Sequence, residues 1–244
     1  MILLDHNLKV LLFDIEGTTS SIEFVHDVLF PYARQQAHGF LTKHWANPEI
    51  FQLAQKIINE AHEVLKEVFS QFERATPDLA YQAVCQLMDR DAKVTGLKQL
   101  QGLIWQEGYA VKRIHSHLYA EVPEALMRFK RHGFRLFTYS SGSIQAQKLY
   151  FQHTTYGDLL ALFEGHFDTT SGNKGDRKSY IRISDNIGVN PTEICFFTDA
   201  FKEIVAARQA SLQTVWVVRP GNVLTETPEG HGISNFDELS FDFR

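Results

Sequence analysis

Hydrophobic and polar positions divide the chain into two kinds of segment. Residues 10–13 form a short apolar run, Val-Leu-Leu-Phe, without a helical period, which predicts a buried strand. Further strands are predicted at residues 134–138, 163–167, 194–198 and 214–218, and helices at residues 123–132, 144–151, 179–187 and 204–210. This alternation predicts an α/β fold with a Rossmann-like parallel sheet and helices on both of its faces.

The stretch between the first and second predicted strands has helical periodicity only. Pro31, Pro48 and Pro77 each suit the first turn of a helix, and Thr76 is a suitable cap for the third helix. A fourth helix is predicted at residues 97–111. The second helix carries one apolar stripe, at Phe51, Ala54, Ile57, Ile58, Ala61, Val64, Leu65, Val68, Phe69 and Phe72. Four helices joined by short loops are expected to pack as a four-helix bundle.

These segments predict two domains. Residues 1–19 and 117–244 form an α/β core domain, and residues 20–116 form an all-helical cap domain inserted after the first strand. Because the insertion leaves and rejoins the core near the end of the first strand, we expect it to lie above the adjacent crevice and to act as a lid.

Acidic side chains follow two of the predicted strands. Asp14 and Glu16 come directly after the first strand and are followed by Gly17, and Asp199 comes after the strand at residues 194–198. Ligands of open parallel sheets bind just beyond the carboxyl ends of the strands, so these acids are expected to meet at one edge. Their oxygens suit a hard cation such as Mg²⁺, which would also relieve their mutual repulsion. Taken singly, each acid also fits a capped turn or helix.

Two further polar clusters suit a phosphate group. Ser140 and Ser141, with the N–H groups that open the next helix, predict an anion site, and Lys174 in a polar loop adds a positive charge. Taken singly, a serine pair is more often a helix cap, and a loop lysine is usually solvated. Their order along the chain, at or just beyond successive strand ends, favours one shared site.

The order of five residues along the chain resembles that in the haloacid dehalogenase superfamily of phosphohydrolases. These residues are Asp14, Glu16, Ser140, Lys174 and Asp199. Within it, the chain is similar to the enolase-phosphatase family of methionine salvage over essentially its whole length. The motifs that carry this similarity are FDIEGTT at residues 13–19, LFPY at 29–32, KQLQG at 98–102 with Ile104-Trp105 after it, YSSGS at 139–143, GHFDT at 165–169 and VRPGN at 218–222.

The resemblance implies a substrate, a two-step reaction and a cofactor. The substrate is 2,3-diketo-5-methylthiopentyl-1-phosphate, which is first enolised and then hydrolysed to the acireductone and phosphate. One Mg²⁺ per chain is expected, held by Asp14, Asp199 and an oxygen of residue 16, which in the family is a backbone carbonyl. Asp14 is expected to be the nucleophile that forms an aspartyl phosphate. Ser140 and Ser141 are expected to hold the phosphate, and Lys174 to neutralise its charge.

Glu16 departs from most phosphatases of the superfamily, which place an aspartate two residues after the nucleophile. The enolase-phosphatases share the glutamate, so the departure favours that family. We expect Glu16 to move protons in at least one step, the alternative being that it only orients the metal. Glu203 falls one helical turn beyond Asp199 and either orients a metal-bound water or Lys174, or is a plain surface acid.

Three alternative functions stay open at this stage. A single-step phosphatase of another small phosphate ester would form no enol. A dehalogenase would need no metal, and the acid at position 16 argues against it. A non-catalytic phosphate-binding module would not need the nucleophile Asp14.

Composition and charge narrow the possible functions and the cellular location of the protein. The net charge of −5 gives no reason to expect nucleic-acid binding, and two cysteines make no disulfide framework. Both Cys85 and Cys195 are expected to be reduced and buried. We find no signal peptide and no apolar run long enough to span a membrane, so a cytoplasmic location is expected. The exposed faces that can be inferred carry no obvious apolar excess, so we expect a monomer that acts on a small-molecule phosphate ester.

Overall fold

A computed structural model of the chain describes residues 2–65, 75–222 and 232–241. It contains two compact units, one made of Met1–Phe24 and His115–Arg244 and the other of Val25–Ile114. These units divide after Phe24 and after Ile114, and the boundaries predicted from the sequence lie after residue 19 and after residue 116.

The strands of the first unit form two parallel sheets. Their bounds are Ile2–Leu4 (β1), Val10–Phe13 (β2), Arg135–Tyr139 (β3), Phe163–Phe167 (β4), Ile194–Thr198 (β5), Gln213–Trp216 (β6) and Leu239–Phe241 (β7). The larger sheet has the order β4-β3-β2-β5-β6, and β1 pairs with β7 in a two-stranded sheet. The predicted parallel α/β sheet is confirmed, and β6 ends two residues earlier than predicted.

The helices fill the segments between these strands. In chain order the α-helices of the described residues are Ile22–Phe24 (α1), Phe30–His44 (α2), Pro48–Leu65 (α3), Pro77–Asp89 (α4), Thr95–Ala110 (α5), Val122–Arg131 (α6), Ile144–Gln152 (α7), Arg177–Ile187 (α8) and Phe201–Gln209 (α9). A π-helix, Val25–Leu29, precedes α2. None of the described helices is both long and apolar enough to cross a membrane.

The central strand β2 is buried on both faces, which explains why its sequence does not alternate. Val10 and Leu12 belong to a core cluster with residues of α8 and α9. Phe13 points to the opposite face, where its ring stacks on Phe129 of α6 and on Phe197 of β5. Since successive strand side chains point to opposite faces, an all-apolar run requires helices on both sides of the sheet.

The described residues of the second unit contain only helical elements. One side of α3 is buried, as the apolar stripe predicts, and Thr76 caps α4 by accepting a hydrogen bond from the N–H of Leu79 at 3.2 Å. The prediction for Val64 is wrong, because this side chain is 41% exposed. Val68, Phe69 and Phe72 lie outside the described residues.

Two helices of the first unit begin earlier than predicted, and one cysteine is less buried. The side chain of Asp176 accepts a hydrogen bond from the N–H of Lys178 at 2.9 Å and so caps α8 at Arg177. Helix α9 begins at Phe201 rather than at residue 204. Both cysteines are free, but only Cys195 is buried.

His166 belongs to strand β4 and is partly buried. It is paired in register with Thr138 of β3, and its Nδ1 lies 2.7 Å from the Thr138 hydroxyl oxygen. Burial, assisted by the positive charge of Lys148, lowers the pKa of His166 to about 4. The folded protein therefore favours the neutral imidazole.

We expect His166 to make the protein less stable in mild acid. The unfolded chain binds the proton below about pH 6.5 and the folded chain only below about pH 4, so stability is lost as the pH falls through this window. His166→Gln should flatten this part of the pH dependence of the unfolding free energy, measured by urea denaturation between pH 4 and 8. Parallel curves for the two proteins would contradict this interpretation.

Candidate active site

The carboxyl ends of β2, β3 and β5 place three of the predicted site residues side by side. Phe13 is in register with Thr138 of β3 and with Phe197 of β5. Asp14 follows Phe13, and Ser140 and Asp199 each lie two residues beyond these register partners. Since the three strands are parallel and adjacent, all three residues leave the sheet at the same edge.

Lys174 joins this edge through its ammonium group. Its Nζ lies 2.7 Å from Oδ2 of Asp14 and 2.8 Å from Oε2 of Glu203, and only 12% of its side chain is exposed. The Tyr180 hydroxyl donates to the main-chain oxygen of Lys174 at 2.6 Å, which fixes the loop that carries the lysine. Residues from three distant parts of the chain thus form one buried ion cluster.

The charge state of Lys174 is set by its carboxylate partners. Burial alone would lower the pKa of this ammonium group, but the charges of Asp14 and Glu203 outweigh it and raise the pKa above its ordinary value. The ammonium also lies 5.8 Å from the ring centres of Tyr139 and Phe196, within cation–π distance. Lys174 is therefore a permanent cation at the edge of the sheet.

The carboxylate of Asp14 is held from both sides. Its Oδ1 accepts a hydrogen bond from the N–H of Ile15 at 2.8 Å, and its Oδ2 faces Lys174. Only 6% of Asp14 is exposed. The Thr198 hydroxyl donates to Oε2 of Glu203 at 2.7 Å, which orients that acid toward the lysine. Asp14 is a fixed, poorly hydrated carboxylate rather than a mobile surface acid.

The turn after Asp14 packs directly against Asp199. Gly17 adopts φ +71°, and a Cβ at this position would collide with the carboxylate of Asp199. The side-chain amide of Asn222 donates to the carbonyl of Gly17 at 2.9 Å and to Oδ2 of Asp199 at 3.1 Å. Glu16 is partly buried in the same turn, where its backbone forms an isolated bridge with Ser20. A side chain at position 17 would therefore push Asp199 away from the turn that follows Asp14.

Asp199 lies in an environment that disfavours its charge. Burial and, to a smaller extent, the nearby charges of Asp14 and Glu203 raise the pKa of Asp199 to about 7. The positive charge of Lys174 offsets this rise only in part. Among the described residues, no three His, Cys, Asp or Glu side chains already form a metal cluster. A cation at this edge would therefore need main-chain or substrate oxygens besides the carboxylates.

The loop after β3 differs from its prediction in one respect. Ser140 is buried, and its Oγ accepts a hydrogen bond from the N–H of Gly142 at 3.2 Å. Two of the expected free N–H groups at the start of α7 are already used. The N–H of Ile144 donates to Asp168 at 3.2 Å, and that of Ala146 donates to Ser143 at 3.2 Å.

The structure brings the predicted residues together to different degrees. Asp14 and Lys174 are in direct contact, and Asp199 joins them through the Gly17 turn. Ser141 is exposed, and within the described residues the serine pair makes no hydrogen bond to Asp14 or Lys174. A molecule that bridged the serines and the ion cluster would have to supply that contact.

Two side chains at this edge were not predicted from the sequence. Asn222 holds Asp199, and Thr198 holds Glu203. Asn222 lies in the VRPGN motif beyond β6. Its position after a strand is the sequence signal that could have identified it as a site residue. For Glu203, the proposed contact with Lys174 is present.

Comparison with known proteins agrees with this fold. A sequence model of the family described as haloacid dehalogenase-like hydrolase matches residues 8–211. The crystal structure of the UTR4 protein of Saccharomyces cerevisiae is 31% identical, with a TM-score of 0.77, and the match covers 95% of this chain and 100% of that one. Fold and site thus define a hydrolase of the haloacid dehalogenase type.

Curated relatives narrow the family further. The enolase-phosphatase E1 of Danio rerio is 41% identical over 98% of this chain and 97% of its own length. The enolase-phosphatase E1 of a Sulfurihydrogenibium species is 41% identical over 87% of this chain and 89% of its own length. The chain belongs to the enolase-phosphatase family of haloacid dehalogenase-like hydrolases, so the resemblance noted in the sequence is confirmed.

Replacing Gly17 by alanine tests the packing of the turn after Asp14. Gly133 has a similar backbone, φ +84°, but a Cβ there would meet no atom within 4 Å, so Gly133→Ala should cost only the left-handed strain of about 1–2 kcal/mol. Gly17→Ala should lose about 1–3 kcal/mol more, because its Cβ meets Asp199. Urea denaturation measures both costs. Equal losses for the two variants would show that the contact between the turn and Asp199 is unimportant.

Proposed function

We propose that this protein is a bifunctional enolase-phosphatase. Its substrate is 2,3-diketo-5-methylthiopentyl-1-phosphate, which it enolises and then hydrolyses to the acireductone and inorganic phosphate. The buried contact between Lys174 and Asp14 carries the proposal, because it places a fixed carboxylate beside a permanent cation at the sheet edge. The monomeric state and cytoplasmic location expected from the sequence complete it.

The donor set at this edge fits Mg²⁺. The groups are hard oxygens, namely the carboxylates of Asp14 and Asp199 and the carbonyl of residue 16. Burial together with the charges of Asp14 and Glu203 raises the pKa of Asp199. We propose that these groups hold one Mg²⁺ together with a substrate oxygen. When bound, the ion would polarise the phosphate and neutralise part of its charge.

In the hydrolytic step, Asp14 acts as the nucleophile. One of its oxygens bonds to phosphorus while the bond from phosphorus to the enol oxygen breaks, and that oxygen takes up a proton. Water then attacks the aspartyl phosphate, which releases phosphate and restores the carboxylate. Ser140 and the N–H of Ser141 hold the phosphate oxygens, and Lys174 offsets their charge. Glu203 keeps Lys174 in place.

In the enolisation step, a proton must move from a carbon next to a carbonyl group to oxygen. We assign Glu16 to this transfer because it lies in the turn directly after the nucleophile. Its side chain is one methylene group longer than that of the aspartate usual in the superfamily. The same carboxyl group can then protonate the leaving oxygen during hydrolysis.

Phosphorus NMR of the diketo phosphate, mixed with protein and Mg²⁺ without oxygen, tests the two-step reaction. We expect an enol phosphate signal to rise first and free phosphate to follow. Asp14→Asn should slow the release of phosphate by about a thousandfold or more, since the amide is not a nucleophile. Phosphate released without an enol phosphate would indicate a single-step phosphatase, and binding without turnover a non-catalytic module.

Glu16→Gln separates proton transfer from metal orientation. The glutamine keeps the length and a carbonyl oxygen but cannot exchange a proton at neutral pH. We expect the rate of enolisation, of hydrolysis or of both to fall by about a hundredfold or more. The two rates are read from the same NMR time course. Wild-type rates for both steps would exclude a role for Glu16 in proton transfer.

A further inference from the structure

A buried glutamine ties the serine loop to the sheet. Gln147 of α7 is 2% exposed, and its Nε2 donates to the carbonyls of Gly142 and Phe167, each at 2.8 Å. Its Oε1 accepts a hydrogen bond from the Thr138 hydroxyl. Both amide hydrogens and the amide oxygen are therefore used, which fixes the orientation of the side chain.

The two carbonyls that Gln147 binds are also the ones that shape the loop around Ser140. The Phe167 carbonyl accepts a second hydrogen bond, from the N–H of Ser140 at 3.1 Å. Gly142 is held at its carbonyl by Gln147 and at its N–H by Oγ of Ser140. Because Oγ acts as an acceptor in this bond, the hydroxyl hydrogen of Ser140 can be donated to another group.

The shape of this loop matters because the adjacent helix offers few other donors. Asp168 and Ser143 already accept hydrogen bonds from the N–H groups of Ile144 and Ala146 at the start of α7. An anion at this strand end would therefore bind mainly the Ser140 hydroxyl and the N–H groups of the loop itself. Their direction depends on the conformation that Gln147 holds.

Thr138 completes the network from the other side of Gln147. Its single hydroxyl hydrogen is given to Oε1, so the neutral His166 donates its Nδ1 hydrogen to the threonine oxygen. Loss of Thr138 would remove these two bonds, but it would leave both bonds from Gln147 to the carbonyls. The chain thus offers a matched pair of substitutions.

We propose that Gln147 is a positioning residue for phosphate binding. It touches neither the substrate nor the reacting atoms, and it acts by holding Ser140 and the following N–H groups toward one point. The inference rests on the proposed function, in which Ser140 and Ser141 bind the phosphate of the substrate.

Calorimetric titration of the Mg²⁺-loaded protein with inorganic phosphate tests the proposal without turnover. Gln147→Met keeps the approximate length and volume but removes all three bonds. We expect it to weaken phosphate binding by about tenfold and to raise KM by a similar factor, with kcat changed by less than about threefold. Thr138→Val should leave the Kd for phosphate within about twofold of the wild-type value, although it also loses buried hydrogen bonds.

Gln147→Glu provides a second variant should the methionine variant not fold. It keeps the length and the acceptor for Thr138. As a carboxylate it donates to neither carbonyl, and as a carboxylic acid to only one, so it should also weaken phosphate binding. A folded Gln147 variant with the wild-type Kd would overturn the proposal, and so would an equal loss in Thr138→Val. A wild-type protein that neither binds phosphate nor releases it from the diketo phosphate would instead refute the proposed function.

Discussion

An excess of buried negative charge is the constraint on which this structure depends. Asp14, Asp199 and Glu203 meet at one edge of the sheet, and Lys174 is the cation in contact with two of them. Carboxylates removed from water are costly unless they are paired, and burial together with the charges of Asp14 and Glu203 raises the pKa of Asp199 to about 7. A further positive charge at this edge would stabilise the acids, as the proposed function requires.

The fold supplies this arrangement through features that have no chemistry of their own. The parallel pairing of β2 with β3 and β5 places Asp14 at the same sheet edge as the residues that follow those two strands. Gly17 allows the turn to approach Asp199, and Asn222 bridges the two. Gln147 performs the corresponding task for the serine loop. In each case a residue without a charge determines where a reactive one lies.

Much of this could be predicted from the sequence, and the reasons for the exceptions are physical. Apolar runs and turn residues locate strands and helices because these signals are local, and parallel strands force Asp14, Ser140 and Asp199 to one edge. The pairing of β1 with β7 joins residues more than 230 positions apart, and three-residue strands leave no periodicity to recognise. The supporting roles of Asn222 and Gln147 depend on hydrogen bonds to main-chain carbonyls, which the identity of a residue does not reveal. The same holds for two N–H groups at the start of α7, which donate to the side chains of Asp168 and Ser143.

The most direct test of this charge excess is the thermal unfolding midpoint at pH 8, measured with and without Mg²⁺ for the wild-type protein and Asp199→Asn. We predict that Mg²⁺ raises the midpoint of the wild-type protein by binding the folded state. We also predict that the variant is more stable than the wild-type protein without metal and gains little when Mg²⁺ is added. A wild-type midpoint that does not respond to Mg²⁺, or a variant that is less stable without metal, would contradict the charge excess.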